Sequence, residues 1–351
     1  MRAMPPLPSA PARVLIIKPS SLGDVVSAVP VLRGLRRSFP RAHIAWLLAQ
    51  SCAPLLEGDG DLDEIILFDR KGLGRWWRSP KAAGDLWRFR KRLREAGFDW
   101  VIDLQGLLRS ALFARFTGAR VRAGFARPRE PAARAFYTHA IHTGAPHTVD
   151  RNIELAQALG IDARGEDFVL RPNPAAAARV QQFLGEAGLA GKTFLVLVPP
   201  TRWPTKRYPV RHWRSVAAKL AGEAPLVLAG SLADRPLCDE VAGGLGQAVV
   251  NLAGRTGVAD LAELIRRSAG VVCSDSAALF IAPAVGTAVV ALVGPTQPVR
   301  TGPYRLGRAI VSSVKCQGCL KRTCSHITCM QLIDPSVVVQ AARDMLRRSE
   351  P

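Results

Sequence analysis

The stretch VLIIKPSSLGDVVSAVPVLRGLR, residues 14–36, decides the fold class. It opens with a short apolar run, Val14 to Lys18, that predicts a strand. The residues from about Asp24 to Phe39 predict a helix, which Pro40 ends. Short apolar runs and helical segments alternate in the same way along the whole chain. This alternation predicts βαβ units with a mainly parallel sheet, and therefore an α/β protein.

The alternation is interrupted at Arg171 to Pro174 (RPNP), where two prolines oppose regular structure. We therefore expect two Rossmann-like, doubly wound parallel-sheet domains that face each other across a cleft. Their expected bounds are residues 1–168 and 169–335, and residues 336–351 are expected to form a C-terminal helix that packs back towards the N-terminal domain. The predicted strands are residues 14–18, 43–48, 64–68, 100–104, 194–198, 225–229, 248–252, 270–274 and 288–293.

The composition is that of a globular protein with an excess of positive charge. Hydrophobic residues make up 48% of the 351 residues and charged residues 22%, which excludes a disordered or collagen-like chain. The net charge of +20 indicates an anionic partner, such as nucleic acid, a membrane surface or a phosphorylated substrate. Because Arg outnumbers Lys by 39 to 9, a G/C-rich genome is an alternative explanation for part of the excess.

The sequence favours a soluble, cytoplasmic protein. MRAMPPLPSAPAR, at the start of the chain, has prolines where a signal peptide has an apolar run. The longest apolar stretch, residues 276–295, is interrupted by Pro283 and Gly286, so a short buried helix and a strand fit it better than a membrane span. The seven cysteines are an odd number, and four of them lie together, unlike those of a secreted disulfide scaffold.

Four loops that follow predicted strands carry the polar residues of interest, because ligands of doubly wound sheets bind at the carboxyl ends of the strands. Each loop alone has an ordinary structural explanation: in chain order, a helix-capping acid, a solvated basic loop, a helix cap and a Gly-Pro turn. The first is neither a Walker A loop nor a GxGxxG fingerprint. The loops are Lys18–Asp24, Thr201–Pro209, Ser274–Ala277 and Gly294–Pro298.

Taken together, the order and spacing of these loops resemble those of the family 9 glycosyltransferases, the bacterial heptosyltransferases of lipopolysaccharide core synthesis. The resemblance extends from Val14 to about Arg347. It implies a GT-B fold and an inverting transfer of heptose from ADP-heptose, with the acceptor bound by the N-terminal domain and the nucleotide sugar by the C-terminal domain. The stretches that carry it are residues 14–36, FDWVIDLQGLLRSAL (98–112), KRYPVRHW (206–213) and VVALVGPTQP (289–298).

The resemblance also implies roles for residues at matching positions. Asp24 stands where the family has its general base, which takes the proton of the attacking acceptor hydroxyl. Lys206 stands where the family has a Lys that stabilises the leaving diphosphate without a metal ion. The expected diphosphate-binding residues are Lys206, Thr201, Ser276 and Thr296, those for the donor sugar or nucleotide are Asp275, Ala277 and Gly294, and those for the acceptor are Lys18, Ser20, Ser21, Gly23, Gln105 and Arg109.

Two positions depart from the family pattern. Ala277 and Phe280 stand where the family usually has Gly and His. A methyl group and the loss of an imidazole both alter the donor pocket. This leaves two alternatives open: the same mechanism with a different nucleotide-sugar donor, or a non-catalytic sugar- or nucleic-acid-binding relic of the fold.

Two basic tracts support an anionic acceptor. Arg70 to Arg94 holds ten Lys or Arg residues interleaved with Trp76, Trp77, Trp87 and Phe89, and Arg109 to Arg134 holds seven Arg residues. The family's acceptor is lipid A that carries acidic octulosonate sugars at the inner membrane, and Arg and Trp suit such a peripheral contact. The alternative is a set of core tryptophans under a solvated basic face. Because no nucleic-acid-binding module is recognisable, we expect no nucleic-acid partner.

Two further clusters have the residue types of metal ligands. Cys316, Cys319, Cys324 and Cys329 have enough thiols for a structural Zn²⁺ or Fe–S cluster, with disulfides or reduced thiols as the alternatives. The acidic triplet Asp59-x-Asp61-x-Asp63 mimics the Asp-x-Asp metal motif of other glycosyltransferases. We interpret it as a solvated turn, and we expect catalysis to need no metal.

Overall fold

The computed structural model describes residues 10–68 and 79–349. The chain divides into two compact units, Met1–Phe168 and Val169–Pro351. In the described residues, each unit has one six-stranded sheet, with the orders β3-β2-β1-β4-β5-β6 and β12-β11-β10-β7-β8-β9. All neighbouring strands pair in parallel, as between β1 and β4 or β7 and β10. Counted from the first strand of its own unit, each sheet has the Rossmann order 3-2-1-4-5-6. The predicted α/β fold class is confirmed.

The first unit buries its central strands on both faces, as parallel sheets do. Its strands are β1 Arg13–Ile17, β2 His43–Ala49, β3 Glu64–Phe68, β4 Trp100–Asp103, β5 Val121–Phe125 and β6 His139–Ile141. Its described α-helices are Leu22–Val26, Val29–Ser38, Pro80–Glu95, Leu108–Thr117 and Thr148–Gln157.

The second unit repeats this arrangement around a core centred on Trp213, which is fully buried. Its strands are β7 Leu195–Val198, β8 Leu226–Leu228, β9 Val249–Asn251, β10 Gly270–Ser274, β11 Val289–Leu292 and β12 Gly307–Ile310. Its described α-helices are Pro174–Glu186, Val210–Leu220, Arg235–Ala242, Val258–Arg266, Ala278–Ala284, Pro298–Thr301, Thr328–Gln331 and Pro335–Ser349.

The helix predicted from Asp24 to Phe39 is in fact two helices, Leu22–Val26 and Val29–Ser38. The break places Pro30 in the first turn of the second helix. Inside one continuous helix, Pro30 would lose a hydrogen bond and clash with the preceding turn. The chain therefore starts a new helix there.

The interpretation of the Asp59, Asp61 and Asp63 triplet as a solvated turn is wrong. Arg33 donates to Asp59 and Asp61 at 2.6 and 2.8 Å. Arg33, Asp59 and Asp61 are each 8% exposed. Asp63 accepts from Arg36 at 2.5 Å. Although burial alone would lower the pKa of Arg33, the hydrogen bonds and charges of the two aspartates raise it. Asp59 and Asp61 therefore form buried ion pairs with Arg33, whereas the pair between Asp63 and Arg36 is partly exposed. Together these pairs fix the loop before β3 to the helix Val29–Ser38.

The last helix, Pro335–Ser349, lies on the core of the second unit. Val338, Ala342 and Met345 are buried among the residues of that core. The apolar face of this helix is therefore a part of the second unit's own core.

The apolar stretch 276–295 contains the helix Ala278–Ala284 and the strand Val289–Leu292, as predicted. Over residues 10–68 and 79–349, we find no helix with both the length and the apolar character needed to span a membrane.

Candidate functional site

Three of the predicted loops converge in the second unit because their strands are neighbours. β7, β10 and β11 lie side by side in the sheet, so the loops that follow them meet at one edge. These loops carry Thr201, Asp275 and Thr296. Lys206 ends a short 3₁₀ helix, Pro204–Lys206, in the first of them.

Asp275 is the centre of this cluster. Its Oδ2 lies 2.9 Å from Lys206 Nζ and accepts a hydrogen bond from the Thr296 hydroxyl. Its backbone carbonyl accepts from Thr201 Oγ1 at 2.8 Å. The ion pair is mostly buried, since the Lys206 and Asp275 side chains are 14% and 9% exposed. Asp275 therefore fixes the position of the Lys206 ammonium group.

Ser276 supplies a hydroxyl with a free hydrogen-bonding capacity. Its Oγ is buried and has no hydrogen-bond partner among the described residues. A buried hydroxyl without a partner is costly, and a ligand oxygen at this point would satisfy it. The next residue, Ala277, is half-buried at the start of the helix Ala278–Ala284, and Phe280 is buried within that helix.

Gly294 packs against sulfur atoms. A Cβ at this position would lie 2.4 Å from Met330 Sδ and 3.0 Å from Cys329 Sγ. The glycine that we predicted to bind the donor thus makes room for Cys329 and Met330, while Thr296, two residues later, reaches Asp275.

In the first unit, Asp24 caps the helix that it belongs to. Its Oδ2 accepts from the backbone amide and from the hydroxyl of Ser21, each at 2.8 Å. The side chain remains 35% exposed, and its Oδ1 lies 3.9 Å from Lys18 Nζ. Asp24 therefore combines the capping role with a partly exposed carboxylate. Gly23 is buried, and Ser20 is half-buried.

Lys18 is buried, and its ammonium group donates to the carbonyl of Leu104 at 2.5 Å. Burial lowers its pKa; the charges of Arg129 and Arg151 act in the same direction, and those of Asp24 and Asp103 oppose it. The contacts of Lys18 join the loop after β1 to the loop after β4. Its predicted role in binding the acceptor stays a prediction.

Asp103 was missed by the sequence analysis. It is completely buried at the end of β4 and accepts from Tyr137 and Ser110 at 2.7 Å, and from the amides of Gln105 and Gly106. Burial raises its pKa, although these four hydrogen bonds act in the opposite direction. Asp103 lies within the quoted stretch 98–112, but its hydrogen-bond partner Tyr137 lies far along the sequence. No local pattern therefore indicates that this carboxylate is buried and paired.

Asp103 shapes the loop that holds the remaining predicted acceptor residues. Gln105 Oε1 is buried without a hydrogen-bond partner in the described part of the chain, so it can accept from a bound hydroxyl. Arg109 is exposed in the first turn of the helix Leu108–Thr117. Its guanidinium group forms no ion pair or hydrogen bond with residues 10–68 or 79–349.

The aromatic residues of the first basic tract differ in their exposure. Trp76 and Trp77 lie outside the described residues. Trp87 is 60% exposed, with Lys91 Nζ 5.7 Å from its ring centroid, whereas Phe89 is buried in the core. An open groove between the helices Pro80–Glu95 and Leu108–Thr117 is lined by Arg90, Arg94, Arg115 and Phe116.

The clustered cysteines form no disulfide in the described residues. Cys316, Cys319 and Cys324 are exposed and Cys329 is buried. In the described ranges, no three His, Cys, Asp or Glu side chains are grouped so that they could hold a metal ion. The four-thiol site that the spacing allowed is therefore not formed.

Comparisons with known proteins agree with this arrangement. Residues 86–329 match the family "Glycosyltransferase family 9 (heptosyltransferase)". The chain is 32% identical to lipopolysaccharide heptosyltransferase 1 of Pseudomonas aeruginosa over 327 residues, which cover 90% of this chain and 88% of that protein.

Two solved structures share the fold of both units. ADP-heptose lps heptosyltransferase II of E. coli has a TM-score of 0.77 at 23% identity, covering 97% of this chain and 100% of the other. E. coli heptosyltransferase WaaC with ADP-2-deoxy-2-fluoro heptose has a TM-score of 0.72 at 23% identity, covering 96% and 99%.

Proposed function

The chain belongs to glycosyltransferase family 9, the heptosyltransferases, and from this premise we propose that it transfers heptose from ADP-heptose to a lipopolysaccharide core acceptor. The acceptor in this proposal is lipid A bearing anionic octulosonate sugars. The reaction inverts the configuration at the anomeric carbon. The acceptor oxygen forms a bond to that carbon, the bond from carbon to the diphosphate oxygen breaks, ADP leaves, and Asp24 takes the acceptor proton.

The observation that carries the donor half of this proposal is the cluster around Asp275. Lys206 is fixed 2.9 Å from Asp275 in a mostly buried position. The unpartnered hydroxyl of Ser276 is beside it in the sequence, and the Thr296 hydroxyl donates to the same carboxylate. A fixed ammonium group and nearby hydroxyls suit the charge that develops on a departing diphosphate. Lys206 would supply this stabilisation, so the proposed reaction needs no metal ion.

Asp24 is supported as the base because its two carboxylate oxygens make different contacts. Ser21 holds Oδ2 with two hydrogen bonds, which fixes the orientation of the carboxylate. Oδ1 belongs to the 35% exposed side chain and has the Lys18 ammonium group 3.9 Å away. Gln105 Oε1, buried and unpartnered in the described structure, is the group that we assign to an acceptor hydroxyl.

We also propose that the protein works at the cytoplasmic face of the inner membrane. The groove between Arg90, Arg94 and Arg115 and the exposed ring of Trp87 support this, because arginine pairs with phosphate and tryptophan favours the lipid interface. Flotation with vesicles tests it: we expect the protein to float with anionic phosphatidylglycerol vesicles and not with neutral phosphatidylcholine vesicles. Equal recovery with both would contradict the proposal.

A second candidate is the same reaction with a different nucleotide-sugar donor. Phe280 is 8% exposed and occupies the position of the imidazole that the family usually has, and Ala277 adds a methyl group beside Ser276. The donor pocket is therefore more apolar at this point, which would favour a sugar with fewer hydroxyls there.

One experiment separates these proposals from a non-catalytic relic. Thermal stabilisation is measured with ADP, UDP, GDP and their sugar derivatives, and turnover is then measured with and without EDTA. We expect selective stabilisation by ADP and ADP-heptose, and turnover that EDTA leaves unchanged. Stabilisation by UDP- or GDP-linked sugars alone would support the second candidate. Absence of any response would contradict both enzymatic proposals.

A further inference from the structure

The segment that carries three of the four clustered cysteines, residues 315–327, lies against the loops of the proposed donor site. The Leu320 amide donates to the Pro295 carbonyl at 2.7 Å, and the Gly318 amide to the Gly294 carbonyl at 3.4 Å. On the other side, the hydroxyl of Thr205 donates to the Lys321 carbonyl at 2.9 Å. The segment is therefore attached both to the loop that holds Thr296 and to the loop that holds Lys206.

Two glutamine side chains add to this attachment. Gln317 Nε2 donates to the carbonyl of Thr296, and Gln297 Nε2 donates to the carbonyl of Gly318, each at 3.3 Å. Gly318 has a positive φ of 75°, and a Cβ there would lie 2.8 Å from Gln297 Cγ. Glycine at this position thus allows the close approach of the two loops.

The segment brings a second cation to the ring beside Lys206. The Trp203 ring centroid lies 4.5 Å from Lys206 Nζ and 4.6 Å from Arg322 Cζ. Lys206 already faces a carboxylate, Asp275. Arg322 is exposed, and it forms no ion pair with any residue in the described part of the chain. Its guanidinium group also forms no hydrogen bond with the described residues, and it lies over the Trp203 ring.

We propose that Arg322 is a second phosphate-binding residue of the donor site, delivered by the cysteine segment and held in place by Trp203. This inference rests on the proposed function, since it assigns Arg322 to the diphosphate of the nucleotide-sugar donor. Lys206 is partly neutralised by Asp275, so one further cation balances the two charges of a bound diphosphate better than Lys206 alone. A guanidinium group can donate two parallel hydrogen bonds to phosphate oxygens, and stacking on an indole restricts its orientation beforehand.

Lys321 provides a matched control. It is exposed and adjacent to Arg322, and its backbone carbonyl holds Thr205. Its side chain is not stacked on Trp203. The variant Lys321→Gln removes one positive charge from the same segment and keeps the backbone contact, so it reports the general effect of charge on anion binding.

The test measures the affinities of the full-length protein for ADP and for adenosine by calorimetry, in the wild type, Arg322→Gln, Arg322→Lys, Trp203→Leu and Lys321→Gln. We expect Arg322→Gln to weaken ADP binding about tenfold and to leave adenosine binding unchanged. Arg322→Lys should recover part of the loss, because it restores the charge but not the paired donors. Trp203→Leu should weaken ADP binding in the same direction, and Lys321→Gln should change it by less than about twofold.

The outcomes separate this inference from the proposed function. Equal ADP affinities in Arg322→Gln and Lys321→Gln, with ADP-heptose turnover retained, would overturn the inference and leave the proposed function standing. An Arg322-dependent affinity for UDP or GDP in place of ADP would support the inference and contradict the ADP-heptose donor. A wild-type protein that binds no nucleoside diphosphate would overturn both. The melting temperature of Arg322→Gln, an exposed site, checks that the variant is folded.

Discussion

Ser21 holds one oxygen of Asp24 with two hydrogen bonds of 2.8 Å, and the other oxygen of this partly exposed carboxylate lies 3.9 Å from Lys18 Nζ. A capping acid and a catalytic base are usually weighed as alternatives for a residue at the start of a helix. Here the cap orients the carboxylate. Substitutions at Asp24 must therefore preserve the cap if they are to report on proton transfer.

Asp24→Asn is expected to reduce turnover about 1,000-fold, because the amide cannot accept the acceptor proton while general base catalysis contributes about 10² to 10⁴ in rate. Asparagine keeps an oxygen for the Ser21 cap, so the fold should be retained. The measurement is the initial rate with ADP-heptose together with the ADP dissociation constant, which should change by less than about twofold.

Ser21→Ala serves as the control for Asp24→Asn, since it removes the Ser21 hydroxyl that donates to Oδ2 and keeps the carboxylate. A smaller loss of rate is expected there. Turnover of Asp24→Asn within tenfold of the wild type would show that another group takes the proton.

Lys206→Met is expected to weaken ADP binding and also to destabilise the second unit by about 2–4 kcal/mol, because it leaves the buried Asp275 carboxylate without its partner. Adding Asp275→Asn should restore most of the stability but none of the ADP affinity. Urea unfolding and calorimetry measure the two effects separately.

One result of the double-mutant cycle of Lys206→Met and Asp275→Asn would contradict the role of Lys206. If Asp275→Asn restored ADP binding in the Lys206→Met background, repulsion by Asp275 would be the cause of the loss, and Lys206 would not be the phosphate ligand.

Gly294→Ala is expected to destabilise the protein by about 1–3 kcal/mol, because its Cβ would lie 2.4 Å from Met330 Sδ. Gly185→Ala is the matched control in the same unit. It lies in the helix Pro174–Glu186, an added Cβ meets nothing within 4 Å, and alanine should stabilise the helix slightly. The urea denaturation midpoint should fall in Gly294→Ala and rise slightly in Gly185→Ala. A loss of ADP binding by Gly294→Ala without a loss of stability would contradict the packing role of Gly294.

Cys324 is expected to react with iodoacetamide faster than the other clustered cysteines. Backbone amides of His326 and Ile327 stabilise its thiolate and lower its pKa, so more thiolate is present at any pH below the ordinary thiol range. Burial raises the pKa of Cys329, which should react last. Peptide mass spectrometry against time at pH 7 should give a rate ratio of about threefold or more between Cys324 and Cys329. Equal rates for Cys324 and Cys329 would show that the backbone amides of His326 and Ile327 do not stabilise the Cys324 thiolate.

The two sheets were predictable because parallel strands buried on both faces are continuous apolar runs, such as Val14 to Ile17. The strands β5, β6 and β12 were not predicted. They contain polar residues, such as Arg122, His139 and Arg308, so their apolar pattern is weak. Their pairing with the neighbouring strands makes them strands.

The convergence of Thr201, Asp275 and Thr296 also followed from the sequence, since each residue comes after a strand of one sheet. What could not be predicted depends on contacts between distant residues. Asp59 is buried together with Arg33, which donates a hydrogen bond to it. The position of Arg322 depends in the same way on its contact with the Trp203 ring. No local pattern in the sequence encodes those contacts.

The repetition of one strand order in both units has an evolutionary consequence. In the first unit, the proposed proton acceptor follows the first strand, and Gln105 follows the fourth; in the second unit, Lys206 follows the first strand, and Asp275 follows the fourth. Each unit thus uses the same two positions of one strand order for a different part of the proposed chemistry. Because each unit builds these loops on its own core, substitutions can accumulate in the loops of one unit while the loops of the other are kept.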